Sequence, residues 1–274
     1  MNFISISNLS FSYSKNYPLF ENLNLSFMRG EQIAIIGRNG AGKTTLVKLI
    51  LGMLKPINGQ IIIDEENIKN KSVAEIASKV GFVFQNPNIM LFTNSIEKEL
   101  ELSLMRFKLS KEEINQRITN ILEFFNMTSY RKYNPRNLSR GEKQKIAIAT
   151  VLIQEPQAII LDEPFSGIDV TQQLQIANYL AELKKQNKLI ILISHNLDML
   201  FEKSSRIIAL KNGKIISDSA IEKFLEDMNN LTEVGLKKTS FLEMIDNLRK
   251  NNLPTNVYTK NDLIDYIIHL NQLK

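Results

Sequence analysis

The nine residues GRNGAGKTT, Gly37 through Thr45, constrain this chain more than any other feature. They satisfy the pattern G-x-x-x-x-G-K-[ST] with Gly37, Gly42, Lys43 and Thr44, between a β-branched run at residues 32–36 and a helical stretch at residues 44–51. Strand, glycine-rich turn and helix in that order make a phosphate cradle. Across Gly37, Arg38, Asn39, Gly40, Ala41, Gly42, Lys43, Thr44 and Thr45, small residues let successive backbone N–H groups converge on phosphate oxygens. The helix start adds its positive dipole end, and Lys43 is long enough to reach the β- and γ-phosphates. Thr44 offers a hydroxyl to a divalent cation. A cradle of this kind needs a metal carboxylate, and AIILDEP supplies one: four apolar residues, Ala158 to Leu161, end in Asp162 and Glu163. Two carboxylates at the end of a buried strand are costly unless cations meet them. Asp162 is expected to hold Mg²⁺, and Glu163 to orient or deprotonate an attacking water.

Composition removes most other chemistries. The 274 residues contain no cysteine, so disulfides and thiolate sites are absent, and two histidines, His195 and His269, do not make a zinc cage. His269 falls on a helix face and is assigned no role. The longest purely apolar run, residues 189–193, is five long, where a membrane helix needs about 20. The start, MNFISISNLSFSY, lacks the basic end and apolar stretch of a secretory signal, so a cytoplasmic location is expected. A net charge of +5 with no clustered basic run gives no reason to expect nucleic acid as a partner.

The periodicities predict an α/β chain. Alternation at residues 3–7 and a run at residues 23–28 read as strands, with further strands at residues 61–64, 81–84, 158–161 and 189–193. Residues 93–133 read as helix only, with Ile114, Ile118, Ile121, Leu122 and Phe125 at helical spacing, and suggest a helical subdomain inserted at about residues 88–138. Helices are expected up to Ala149 and at residues 170–185, and a hairpin around Asn212 and Gly213. Beyond residue 218 the chain reads as an appended element of two packed amphipathic helices, residues 239–250 and 261–270, joined through Pro254.

Five further motifs in fixed order make the chain resemble the ATP-binding subunits of ABC transporters. LSRGEKQK, residues 138–145, is similar to that family's signature LSGGQ, retaining Ser139 and Gly141 but carrying Arg140 and Glu142 in place of glycine and glutamine. Gln85 in FVFQNP matches the Q-loop, SGID at residues 166–169 the D-loop with Asp169, and His195 after Ile193 and Ser194 the switch histidine. Tyr13 matches the aromatic that stacks on adenine.

The resemblance implies a P-loop NTPase core with an antiparallel β subdomain. It implies ATP and Mg²⁺ as cofactors, catalysis by Glu163, His195 and Gln85, and metal contacts from Thr44, Gln85 and Asp162. Because one subunit's signature closes on another's nucleotide in that family, Ser139, Gly141 and Asp169 are expected to act in trans in a homo- or heterodimer. The tail, residues 231–254 and the helix near Tyr266, is similar to the C-terminal element of the ATPases of energy-coupling factor (ECF) transporters, where dimerisation is expected. That likeness implies an importer of a vitamin or transition-metal ion, with a transmembrane coupling subunit and a substrate-binding membrane subunit on the cytoplasmic face of the cell membrane. Leu91 and Phe92, read as an exposed apolar pair, are candidates for the groove that receives the coupling subunit. The alternatives are an ATPase of a conventional ABC importer or exporter and, less favoured, a nucleic-acid-linked ABC ATPase. The latter kind carries coiled-coil or zinc insertions, or two ATPase halves in one chain.

Overall fold

The apolar runs become strands of two sheets. The computed structural model describes residues 2–14, 17–227 and 229–272. The first half of the chain forms β1 (Asn2–Ser14), β2 (Tyr17–Met28), β3 (Gln32–Ile36), α1 (Lys43–Ile50), β4 (Asn58–Ile63), β5 (Glu66–Asn67), α2 (Val73–Ala77) and β6 (Val80–Val83). Three helices follow: α3 (Ile96–Leu104), α4 (Lys111–Phe124) and α5 (Arg140–Leu152). Strand and helix then alternate through β7 (Ala158–Asp162), α6 (Val170–Lys185), β8 (Leu189–Ile193), α7 (Leu197–Lys203), β9 (Arg206–Lys211) and β10 (Lys214–Ala220). The tail holds α8 (Ile221–Glu226), α9 (Asn229–Glu233), α10 (Ser240–Arg249) and α11 (Lys260–Gln272).

One sheet is antiparallel, in the order β2-β1-β4-β5; the other runs β10-β9-β3-β8-β7-β6, parallel except for the β9–β10 hairpin. That hairpin turns at Asn212 and Gly213, with φ of +50° and +75°, the left-handed pair that matches strand twist. Strands β3, β7 and β8 are buried along their whole length, as a sheet covered on both faces requires. Their alternate residues serve two cores. Ile33, Ile35, Ile160 and Ile191 face α1 and the antiparallel sheet, while Ala34, Ile36, Leu161 and Leu192 face the helices. Each fully buried aliphatic side chain contributes about 1.5–3 kcal/mol. The inserted helices are started by serines: Ser95, Ser110 and Ser139 each accept a backbone N–H in the first turn of α3, α4 and α5. Such a cap is worth ~1 kcal/mol.

Several expectations need correction. The first strand runs past residue 7 to Ser14 and carries Tyr13, and β2 begins at Tyr17 rather than near Leu23. Phe3 and Ile4 are both buried, because a register shift against β2 interrupts the alternation there. Leu91 is buried among the helices and only Phe92 is exposed, so the expected apolar pair is a single side chain. Leu91 joins the same core as Ile96, Leu100 and Leu104 of α3. In the tail, α10 packs through Leu242 and Ile245, but α11 has no buried residue. Leu263 and Tyr266 lean on the core from one face of α11, while Ile264, Ile267 and Ile268 on another stay exposed.

Candidate active site

Four neighbouring parallel strands, β3, β8, β7 and β6, end at the same edge, and each delivers one part of the site. The phosphate loop follows β3, Ser194 and His195 follow β8, Asp162 and Glu163 close β7, and Gln85 follows β6. The carboxyl edge of a parallel sheet is where such α/β folds bind ligands. A cleft of about 500 Å³ opens there, lined by Tyr13, Asn39, Gly40, Gly42, Lys43, Thr44, Thr45, Gln85, Asp162, Glu163 and His195, with Leu19 and Ile193.

The loop is shaped by its glycines and fastened by its lysine. At Gly37 a Cβ would stand 2.2 Å from the Leu210 carbonyl oxygen, and at Gly42, with φ of +109°, it would meet the Phe20 ring at 2.9 Å. Neither position accepts another residue without moving backbone or core. Lys43 Nζ donates to the carbonyls of Gly37 at 2.6 Å and Arg38 at 3.0 Å. Burial lowers the Lys43 pKa, and Asp162 and Glu163 partly oppose that. Ala41 is buried beneath the loop, and its carbonyl accepts the Gly213 N–H at 2.9 Å. Tyr13 is largely exposed, stacks edge-on against Phe11, and pairs its hydroxyl with Thr45 Oγ1 at 3.0 Å. Its ring thus stands at the rim of the cleft.

The two carboxylates differ in their partners. Thr44 Oγ1 lies 3.4 Å from Asp162 Oδ2, so a hydroxyl and a carboxylate share one small volume. Glu163 sits in the left-handed region at φ +54°, a conformation that costs a non-glycine residue about 1–2 kcal/mol. It is held there by donation of its N–H to the Ile193 carbonyl at 2.8 Å. Ser194 Oγ donates to Glu163 Oε2 at 2.9 Å, and His195 Nε2 stands 3.5 Å from Oε1. Burial pushes both carboxyls above their ordinary range; Thr44 counters this at Asp162, and Ser194 does so at Glu163. A raised carboxyl pKa makes a stronger base at neutral pH. Ser194 is the functional neighbour that sequence reasoning missed: a serine after an apolar strand has no spacing that marks it.

Ser139, Gly141 and Asp169 lie outside this cleft. Ser139 caps α5 in a reciprocal box: its Oγ accepts from the Glu142 N–H, and Glu142 Oε2 accepts from the Ser139 N–H at 2.8 Å. Glu142 closes this box, as the family's glutamine also can. Arg140 lies over Gly167 and donates to Ser166 Oγ at 3.2 Å, so it neither fills nor obstructs the cleft of its own chain. Asp169 caps α6. Gly37, Arg38 and Ala41 form the loop without lining the cleft, and Arg38 is turned toward Gly235.

The chain has relatives among known proteins. The model of the ABC transporter family matches residues 20–166. The chain is 36% identical over 267 residues, 93% of each chain, to the energy-coupling factor transporter ATP-binding protein EcfA2 of Clostridium tetani. It is 34% identical over 235 residues to a putative ABC transporter ATP-binding protein of Pyrococcus furiosus, 86% of this chain and 87% of that one. Among solved structures it is similar to cbiO1 of Clostridium perfringens, part of the ABC transporter complex cbiONQ, with a TM-score of 0.75, 29% identity and coverage of 89% and 99%. A dimeric ATP-binding cassette in a post-hydrolysis state with ADP and Pi matches with a TM-score of 0.72 at 25% identity, over 80% of this chain and 98% of that one. With a glycine-rich loop, paired carboxylates and a histidine on one sheet edge, the chain belongs to the ABC transporter family as an ATP-hydrolysing subunit.

Proposed function

We propose that this chain is the ATPase of an ECF-type importer of a vitamin or a transition-metal ion, working as a pair of ATPase subunits on the cytoplasmic face of the membrane. The observation that carries the catalytic part is the convergence of Lys43, Thr44, Gln85, Asp162, Glu163 and His195 on one cleft. The likeness to an ECF ATP-binding protein across 93% of both chains, tail included, supports the choice of transporter class.

In this reading the adenine stacks on Tyr13 and the phosphates lie along the loop from Asn39 to Thr45. Lys43, already braced by two carbonyls, turns its remaining donor to the β- and γ-phosphates. Thr44 and Asp162 suit Mg²⁺, being two oxygen donors, one charged and desolvated, in a cleft that Gln85 also lines. Bound there, Mg²⁺ supplies charge neutralisation across the phosphates. Glu163 accepts the proton of the attacking water, held in place by Ser194, and His195 donates to the γ-phosphate. Ser139, Gly141 and Asp169, outside their own cleft, complete the site of the second ATPase subunit.

Among the described residues no helix is long and apolar enough to cross a membrane, so transport needs a coupling subunit and a substrate-binding membrane subunit. Phe92, 68% exposed, and Ile89, also exposed, present apolar surface for the coupling subunit. Glu99, buried within α3, accepts the N–H groups of Phe92 and Thr93 at 2.9 and 2.8 Å and so fixes that presentation. Residues 1–218 form the ATPase domain, with residues 88–138 as its helical insert, and the residues beyond 218 add a dimer contact through the exposed isoleucines of α11. The test is Glu163→Gln. It leaves ATP binding intact and abolishes steady turnover; turnover comparable to the native chain contradicts the assignment of the base.

A further inference from the structure

The C-terminal element does more than follow the ATPase core: it grips two parts of the site. Thr239 caps α10 and also donates from Oγ1 to Asp198 Oδ1 at 2.6 Å. Asp198 lies in the first turn of α7, the helix that begins directly after His195 and Asn196. One turn further along α7, Glu202 accepts from Asn261 Nδ2 at 3.1 Å, so the starts of α10 and α11 hold successive turns of that helix. From α7 the contacts continue into the site. The Asn196 side chain caps α7 through the Met199 N–H, the Asn196 N–H donates to Ser194 Oγ at 3.1 Å, and Ser194 Oγ donates to Glu163. On the other side, Gly235 has φ of +75°, and a Cβ there would stand 2.2 Å from Cδ of Arg38 in the phosphate loop. Apolar packing backs this arrangement, since Leu231, Val234, Leu242 and Ile245 share one core with Leu197, Leu200 and Phe201 of α7.

We propose that residues 235–239 form a strap through which the C-terminal element sets the placement of His195 and Glu163, with Thr239 as a positioning residue acting through Asp198. The hydroxyl touches no nucleotide; it fixes the angle of α7, and α7 continues directly from the β8–α7 connection from which Ser194 and His195 reach Glu163. A displacement at the C-terminal element, such as docking of a second subunit on α11, is thereby passed to the catalytic carboxylate. The proposal rests on the reading of His195 and Glu163 given above, and its test separates the two.

The test is steady-state ATP hydrolysis by the purified full chain and its variants. Thr239→Val and Asp198→Ala each lower kcat about tenfold while KM for ATP stays within about twofold, the pattern of a misplaced catalytic group. The double variant falls no further than the worse single one, because both cut the same contact. Thr239→Ser, which keeps the hydroxyl, restores kcat. Asn261→Ala, an exposed change, loosens the second grip and lowers kcat in the same direction. Native kcat in folded Thr239→Val or in Asp198→Ala, or losses that multiply in the double variant, overturns the strap; if Thr239→Val does not fold, native kcat in Asp198→Ala does so alone. Loss of turnover in His195→Ala with those variants unaffected rejects the strap alone. Native turnover in His195→Ala rejects the reading of the histidine instead.

Discussion

Replacing Ser194 by alanine removes one methyl-sized hydroxyl and tests how Glu163 is tuned. Ser194 is buried, donates to Glu163 Oε2 at 2.9 Å, and is the largest influence opposing the burial that raises this carboxyl's pKa. The groups facing Glu163 are Ser194 and His195 after β8, Asp162 on its own strand and Lys43 in the loop. A hydrogen bond to a charged group is worth about 1.5–3 kcal/mol, and the cleft's access to water argues for the lower end. About 1.4 kcal/mol is a tenfold change in an ionisation equilibrium, so on the acid limb roughly ten times less Glu163 is ionised in the variant. The sign follows from which form is bonded: the serine stabilises the carboxylate, so its loss moves the acid limb of kcat to higher pH. The assay is kcat for ATP hydrolysis across the acid-to-neutral range. Activity recovers toward the native plateau as pH rises. An unmoved limb, or a fall equal at every pH, refutes this account of the base.

Other predictions address the rest of the surface. Phe92→Asp leaves ATP hydrolysis by the free subunit unchanged and removes the chain from its membrane complex, measured by co-purification in detergent; an intact complex rejects the docking surface. Leu91→Asp differs, because that side chain is buried: it costs about 3 kcal/mol or more, read by thermal melting, before docking is in question. Arg140→Gly removes the bond to Ser166 and puts glycine in the first turn of α5. It lowers stability by about 1–2 kcal/mol with nucleotide affinity of the single subunit unchanged, measured by melting and by titration of fluorescent ATP.

What the sequence made legible, and what it hid, follows from the range of each interaction. The phosphate loop and the Asp162–Glu163 strand end are local signals: unbroken apolar strands followed by glycines or carboxylates leave few other folded solutions, and the parallel sheet brings them together. Signals that depend on distant partners were hidden. Ser194 matters through a carboxylate 31 residues away. Nothing in the sequence marks Glu99, yet it is buried where two loop N–H groups meet it. Leu91 and Phe92 adjoin in sequence, but the loop turns one inward and one outward. The tail reads as two equivalent amphipathic helices, although only α10 finds a covered face, because apolar residues on α11 point to two sides and the core meets one. Tyr13 lies beyond the alternation at residues 3–7 that marks the strand; pairing of Ser12 and Ser14 with Pro18 and Tyr17 extends the strand past it.

The most direct measurement purifies the full chain from solubilised native membranes, identifies what accompanies it, and follows ATP turnover of that complex beside its Glu163→Gln counterpart. The account predicts a second ABC ATPase subunit, the same chain or a homologue, together with multi-span membrane proteins, and turnover present in the native complex and absent in the variant. Recovery without any membrane partner, or turnover that survives Glu163→Gln, contradicts it.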